Sequence, residues 1–402
     1  MKINPGLRVV SRDSHMLQVG LGPGGVILEG LTPADSAFIR LLREGTGSTT
    51  VADTAARARL ATPRAQQIIG SLSTVLFDDT VPLAPPGFRG ERLAGDAALA
   101  AAVYGSAALR PLAGRGNAVL RIIGLGRTGA ALAQGLVGAG VGTILLEDAA
   151  PVAPADIGPG AYRLTDIGMN RAAALRRQLL SLDPGCQSHV VRSMQNGGSD
   201  FQTLDLVIYA GHDAVDPAAS AQLMSRDQPH LIVLQREQDA TVGPLVIPGE
   251  TACGECVERH RAVADPQWPQ ICGQLTDPAT RSQATAVEES SMALCAAGSA
   301  ARQALLYLDC INRPASWSAV LTLRASDGAW LQRSYPPHPE CGCQFQRQLQ
   351  TNGRPAPGSD RVGISARATG SEDSASMLAS PTRWRDHQLE ASVVRISRID
   401  AP

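Results

Sequence analysis

The sequence predicts an α/β fold: a parallel sheet with helices on both faces, preceded by a small α+β module. Three observations carry this. Apolar runs of strand length alternate with helix-length segments over residues 118–250. The first of those runs enters a glycine-rich turn. Ahead of them, residues 1–85 mix short strands with proline-started helices.

In chain order, "LRVV", "LQVG" and "GGVILEGL" read as three short strands. "TPADSAFIRLLREG" follows as a helix. Thr32 is its N-cap, and Pro33 suits the first helical position because no N–H is needed there; Gly45 ends it. "TPRAQQIIGSLSTVLFDD" repeats the Thr-Pro start with helical apolar spacing. Residues 1–85 are therefore expected to be a winged-helix-like module. "VPLAPPGFRG" is rich in Pro and Gly, and residues 86–117 are read as a linker.

The main domain is expected over 118–346. "AVLRIIGLG" is a buried strand, "RTGAALAQGLVGAG" a helix ending at glycine, and "VGTILLEDA" the next strand. "NRAAALRRQLLSLDPG" is a helix stopped by Asp-Pro-Gly. "SHVVRS", "LDLVIYAG" and "HLIVLQRE" are further strands. A long helix of small residues is expected at 287–310, then strands at "AVLTLRAS" and "AWLQRSY". Residues 347–402 carry too little apolar content to pack and are expected to be largely disordered.

Bulk properties narrow the function. A net charge of −1 gives no electrostatic case for nucleic acid or an anionic membrane. No run approaches the length of a membrane span, and the N-terminus lacks a signal-peptide pattern, so a cytoplasmic protein is expected. Structural disulfides are unexpected in that compartment, and close cysteine pairs turn toward metal. Lys2 is the only lysine.

"IIGLGRTGAAL" places Gly124, Gly126 and Gly129 as G-x-G-x-x-G between a strand and a helix, and Asp148 ends the next strand. Gly124 permits the sharp turn, Gly126 lets phosphate approach backbone N–H groups, and Gly129 permits close helix–strand contact. Asp148 can accept hydrogen bonds from a ribose. This is a Rossmann-like nucleotide signature. The competing reading is a nucleotide fold that no longer binds anything.

Cys253 and Cys256 form C-x-x-C, and Cys341 and Cys343 form C-x-C. Four thiolates from two turns can fill the tetrahedral shell of one structural zinc. Redox dithiols and unrelated buried cysteines are the alternatives. Cys186, Cys272, Cys295 and Cys310 are assigned to the core, with Cys272 the one considered for reactivity.

The order of glycine turn, acidic strand end and cysteine pairs flanking a helix resembles the ThiF/MoeB superfamily of ubiquitin-activating-like adenylyltransferases, over residues 118–346. "VGPLVIPGETACGECVERHRAVADPQWPQ" and "PPHPECGC" resemble, more narrowly, ThiF-like proteins of high-GC Gram-positive bacteria. That group partners cyclodehydratases and binds leader peptides in the biosynthesis of ribosomally made peptides (RiPPs), TOMM compounds and bacteriocins among them. The resemblance implies that residues 1–85 capture an extended leader as an added β-strand. It also implies a partner enzyme of YcaO type and a homodimer, with the small residues of the 287–310 helix suited to close packing.

The same resemblance exposes departures. Where active members carry D-x-D-x-V, this chain reads "EDAAPVAPADIGPGAYR": Asp148 matches the first acid and Ala150 replaces the second. Pro159 falls where an arginine acts on the nucleotide phosphates, with Arg163 as a substitute. Arg171 takes the place of a phosphate-neutralising lysine. A metal-orienting acid is expected at Asp213, beside His212. Losing cationic groups removes transition-state stabilisation, so a leader-binding protein with doubtful ATP use is the leading expectation. An active adenylyltransferase is the alternative, and NAD-dependent oxidoreduction a weaker third.

Overall fold

The computed structural model describes residues 1–46, 49–78, 87–191, 204–277 and 287–344. The tail expected to be disordered lies outside them. The chain begins with β1 (Lys2–Ile3) and a three-stranded antiparallel sheet of β2 (Val9–Ser11), β3 (Leu17–Val19) and β4 (Val26–Leu28). Register pairs Val9 with Val19 and Val19 with Val26, and the latter two are fully buried.

Helix α1 (Pro33–Glu44) starts as the sequence predicts. The Thr32 side chain accepts from the Asp35 N–H, and the Asp35 carboxylate accepts from Thr32. Helix α2 (Val51–Arg57) uses the same device with Thr50 and Asp53, in a stretch that sequence reading left unassigned. Helix α3 (Thr62–Ser71) begins a residue earlier than its Thr-Pro signal implies, with Ala61 at the N-cap and no side-chain cap. A short β5 (Leu76–Phe77) returns to pair with β1. Phe38, Ile39, Leu42, Ile68 and Leu72 form the module's core.

The expected linker, 86–117, is corrected by the structure, which places three helices there: α4 (Phe88–Arg92), α5 (Ala94–Tyr104) and α6 (Leu109–Gly114). The proline–glycine signal ends at Gly87, and "AGDAALAAAVY" is alanine-rich, the strongest helix-forming composition. These helices brace the molecule. The Asn4 side chain donates to the Ala101 carbonyl at 2.6 Å, and Phe77 packs on Ala97 and Ala101. On the far side, Arg92 donates to the Asp183 carboxylate at 2.7 Å and to the Gly138 carbonyl.

The main domain runs β6 (Val119–Ile123), α7 (Arg127–Gly138), β7 (Thr143–Glu147), α8 (Arg171–Leu182), β8 (Gln187–Val190), β9 (Leu206–His212), α9 (Pro217–Ser225), β10 (His230–Gln235) and β11 (Asp239–Val246). It continues through α10 (Gly254–Ala264), α11 (Trp268–Thr276), α12 (Ser290–Asp309), β12 (Ala319–Arg324) and β13 (Trp330–Ser334). The sheet has eight strands in the order β13-β12-β11-β10-β9-β6-β7-β8.

Only the half from β8 to β10 is parallel; β11, β12 and β13 are antiparallel. The expected parallel sheet is present from β8 to β10, and it turns antiparallel at β10–β11 because the three residues between them are too few for a crossover. Gly243 and Pro244 interrupt the β11 run and conceal it in the sequence. Helix α12 lies along α7 with Ala296, Ala300 and Ala304 fully buried. Those alanines are used inside the chain, while Cys295 and Gly298 of the same helix are exposed. A buried Arg115–Asp309 pair, Nε to Oδ1 2.7 Å, ties α12 to the residues before β6.

Candidate functional site: a glycine turn and a cysteine corner

The glycine turn lies where β6 meets α7, at the carboxyl end of the parallel strands. Gly124 has φ +85°, and a Cβ there would come 2.0 Å from the Ala210 carbonyl oxygen. A Cβ on Gly129 would come 2.0 Å from the Gly124 oxygen. Both positions therefore exclude any side chain on packing grounds alone. Gly126 is the N-cap of α7 and offers no side chain to its first N–H groups.

A carboxylate from elsewhere meets those groups. Glu288, just ahead of α12, accepts from the Thr128 N–H at 2.7 Å, the Arg127 N–H at 3.2 Å and the Thr128 hydroxyl at 2.5 Å. Burial raises the Glu288 pKa, but His212, the Thr128 hydroxyl and the Thr128 amide outweigh it and hold the carboxyl at about 2. His212 Nε2 stands 3.6 Å from Oε2, beyond hydrogen-bond reach, so Thr128 is the direct partner and His212 acts through charge when protonated.

Asp148 follows β7. Its carboxylate accepts from the Leu125 N–H and the Ala150 N–H, both at 2.8 Å. Arg171, first residue of α8, donates to both oxygens of Asp156 at 2.8 and 2.7 Å and to Asp148 at 3.2 Å. Burial works against the charged guanidinium, yet the two aspartates outweigh it and push its pKa up. The structure thus brings Gly124, Gly126, Asp148 and Arg171 into one place, with the charged side chains turned on each other. Arg163 is exposed, with its N–H on Asp166. Asp213 adopts φ +60° after β9, its N–H on the Gln235 carbonyl, and it is His212 that reaches toward Glu288.

The cysteine corner forms on the other face of the sheet. Cys253 is the N-cap of α10 and Cys256 lies in its first turn, while Cys341 and Cys343 come from the chain after β13. The Sγ atoms of Cys253, Cys256, Cys341 and Cys343 all lie within 4.8 Å of one another. Cys253 stands 3.6 Å from Cys341, and Cys256 stands 3.4 Å from Cys343. Donation from the Cys253 and Cys343 thiols draws the Cys256 pKa far down against burial, with the His338 N–H adding at 3.3 Å. A thiolate at a helix N-terminus beside three more sulfurs fits a tetrahedral thiophilic ion and can hold a metal.

A family model described as the ThiF family matches residues 116–344. The chain belongs to the ThiF family.

Among solved structures, the ThiF-family chain is similar to Escherichia coli MccB with ATP: TM-score 0.62, 15% identity, covering 85% of this chain and 99% of that one. It is similar to the microcin C7 biosynthetic enzyme MccB in complex with N-formylated MccA, at TM-score 0.64, 16% identity and the same two coverages. PaaA matches with TM-score 0.61 and 14% identity, over 83% of this chain and 99% of that one. At such identities the likeness shows a shared fold and nothing finer. No curated protein sequence matches the chain. Among the described residues, no helix is long and apolar enough to cross a membrane.

Between α10, α11 and the sheet lies a cavity of about 810 Å³, bordered by Ile232, Leu234, Arg236, Trp268 and Cys272. Burial pushes the Cys272 thiol above its usual value, with the Glu258 carboxylate adding to the shift. That favours the neutral thiol over a nucleophilic thiolate. Of the other cysteines assigned to the core, Cys186 is buried, but Cys295 is exposed on α12 and Cys310 caps its end in a left-handed conformation.

Sequence reading passed over Glu288. The one signal was "EES" ahead of the long helix: one acid suffices as its N-cap, and Glu289 takes that role, which leaves Glu288 to be explained.

Proposed function

We propose that the protein binds the leader of a ribosomally made precursor peptide and presents it to a partner cyclodehydratase of YcaO type. The observation that carries this reading is the commitment of Arg171. The cation that the family resemblance assigns to nucleotide phosphates is paired with Asp148 and Asp156. An arginine spent on two carboxylates of its own chain has little left for a polyphosphate. Recognition then falls to the N-terminal module. Its three-stranded sheet leaves β2 and β4 as edges among the described residues, and backbone pairing at an edge is how an extended peptide adds as a strand. MccB, which shares the fold, has been solved with the peptide MccA. Zinc at Cys253, Cys256, Cys341 and Cys343 is structural in this reading. The assembly is a cytoplasmic homodimer.

The decisive experiment is fluorescence anisotropy of the full-length protein with labelled leader peptides encoded beside its gene. Saturable binding supports the reading; no binding to any of them removes it. A second reading, active carboxylate adenylation, draws on the likeness to MccB with ATP. Peptide-dependent ATP–pyrophosphate exchange, lost in Asp148→Ala and Arg171→Ala, would put it first.

A further inference from the structure

We propose that Glu288 is a built-in occupant of the anion cradle at the start of α7, so that a nucleotide binds this chain only when Glu288 withdraws. The donors that a phosphate would use here are the N–H groups of the first turn, at the positive end of the helix. Two of them, on Arg127 and Thr128, are bonded to the Glu288 carboxylate, as is the Thr128 hydroxyl. The approach route is taken as well. The lack of a side chain at Gly126 is what opens a glycine turn to phosphate, and here a Cβ at Gly126 would come 2.9 Å from Glu288 Oε2. Carboxylate and phosphate are both anions and cannot share one set of donors, so binding becomes exchange.

The occupant is held in place from several sides. The Arg127 guanidinium donates to the Glu288 carbonyl at 2.8 Å and to the Ile157 carbonyl at 3.0 Å. The Gln235 side chain donates to the Thr128 hydroxyl at 2.9 Å. The next residue, Glu289, accepts from the Ser291 and Met292 N–H groups and starts α12. Adjacent acids therefore cap two different helices, and moving Glu288 out of α7 means moving the start of α12. This contact is independent of leader recognition by the N-terminal module.

The test is titration calorimetry of the full-length protein with magnesium–ATP and with inorganic tripolyphosphate. Glu288→Ala and Glu288→Gln should each bind both probes at least tenfold more tightly than the unaltered chain, because alanine frees the first-turn donors and glutamine removes the competing charge. Equal or weaker binding in folded variants would overturn the proposal and leave Glu288 a helix-to-helix cap. Glu288→Gln keeps the volume and one acceptor, so it decides the matter where the alanine variant fails to fold. Hydrogen exchange supplies a second readout on the unaltered chain. Saturating magnesium–ATP should raise exchange in peptides covering 287–293, and unchanged exchange with ATP bound would also overturn the proposal. Leader binding by Glu288→Gln should stay as in the unaltered chain, so failure of the leader reading and failure of this one are separable.

Discussion

The glycine turn and the cysteine corner are both places where the sequence motif suggests a ligand, and the chain treats them in opposite ways. At the corner, four sulfurs from two distant segments converge on one point. At the turn, the chain sends its own acid to the helix donors and its own arginine to the strand-end aspartate. One site gathers donors for a partner of opposite charge; the other cancels its charges internally. Convergence of like groups is costly without a ligand, whereas cancellation is stable without one.

The largest expected effect follows at the corner. Cys253→Ser or Cys341→Ser should reduce zinc from about one per chain toward none and lower the melting temperature by about 10 °C or more. Metal analysis and thermal scans check this, and a chelated protein that melts normally would break the contrast. At the turn, Arg171→Met strands Asp148 and Asp156, the latter only 5% exposed. The expected loss is about 2–3 kcal/mol, read from the urea midpoint. Were Arg171 kept free for phosphate, the substitution would leave stability near unchanged.

The third effect is pH-dependent. The Glu288 carboxyl sits at about 2 in the folded chain against an ordinary value of 4.5. Below that ordinary value, the unfolded chain takes up the proton first. The stabilisation is thus complete above that pH and is lost as pH falls through the folded value, for about 3 kcal/mol in all. Glu288→Gln should show a shallower acid limb in stability measured between those two values. An acid limb identical to that of the unaltered chain would mean that the carboxylate is not held at α7. The smallest effect belongs to the module: Val10→Glu on β2 or Ile27→Glu on β4 should weaken leader binding at whichever edge takes the peptide. Unchanged anisotropy with both would move recognition to another part of the chain.

Sequence and structure agree best where a local rule decides. Thr32, Pro33 and Gly45 bound α1 because capping chemistry acts within a few residues. The glycine turn and the two cysteine pairs were legible because each motif compresses its requirement into adjacent positions. What escaped depends on distance in the chain. Glu288 finds Thr128 across 160 positions, and no local pattern announces that. Arg171 is expected near the site from the sequence, but its pairing with Asp156 is invisible there because charge alone does not choose a partner. The helices over 88–114 were missed because a proline–glycine stretch was allowed to speak for the alanine-rich one behind it.

Those helices also set a limit on transplantation. Leader-binding modules invite excision, and the sequence suggests a cut near residue 85. A cassette ending there would uncover Phe77, leave the buried Asn4 side chain without the Ala101 carbonyl, and open Gly6 where it lies close against Ala98 and Ala102. A graft into another biosynthetic system should instead carry residues 1–117. Its cost is the face bearing Arg89, Arg92 and Arg115, which would lose Gly140, Asp183 and Asp309 and need new acceptors in the host.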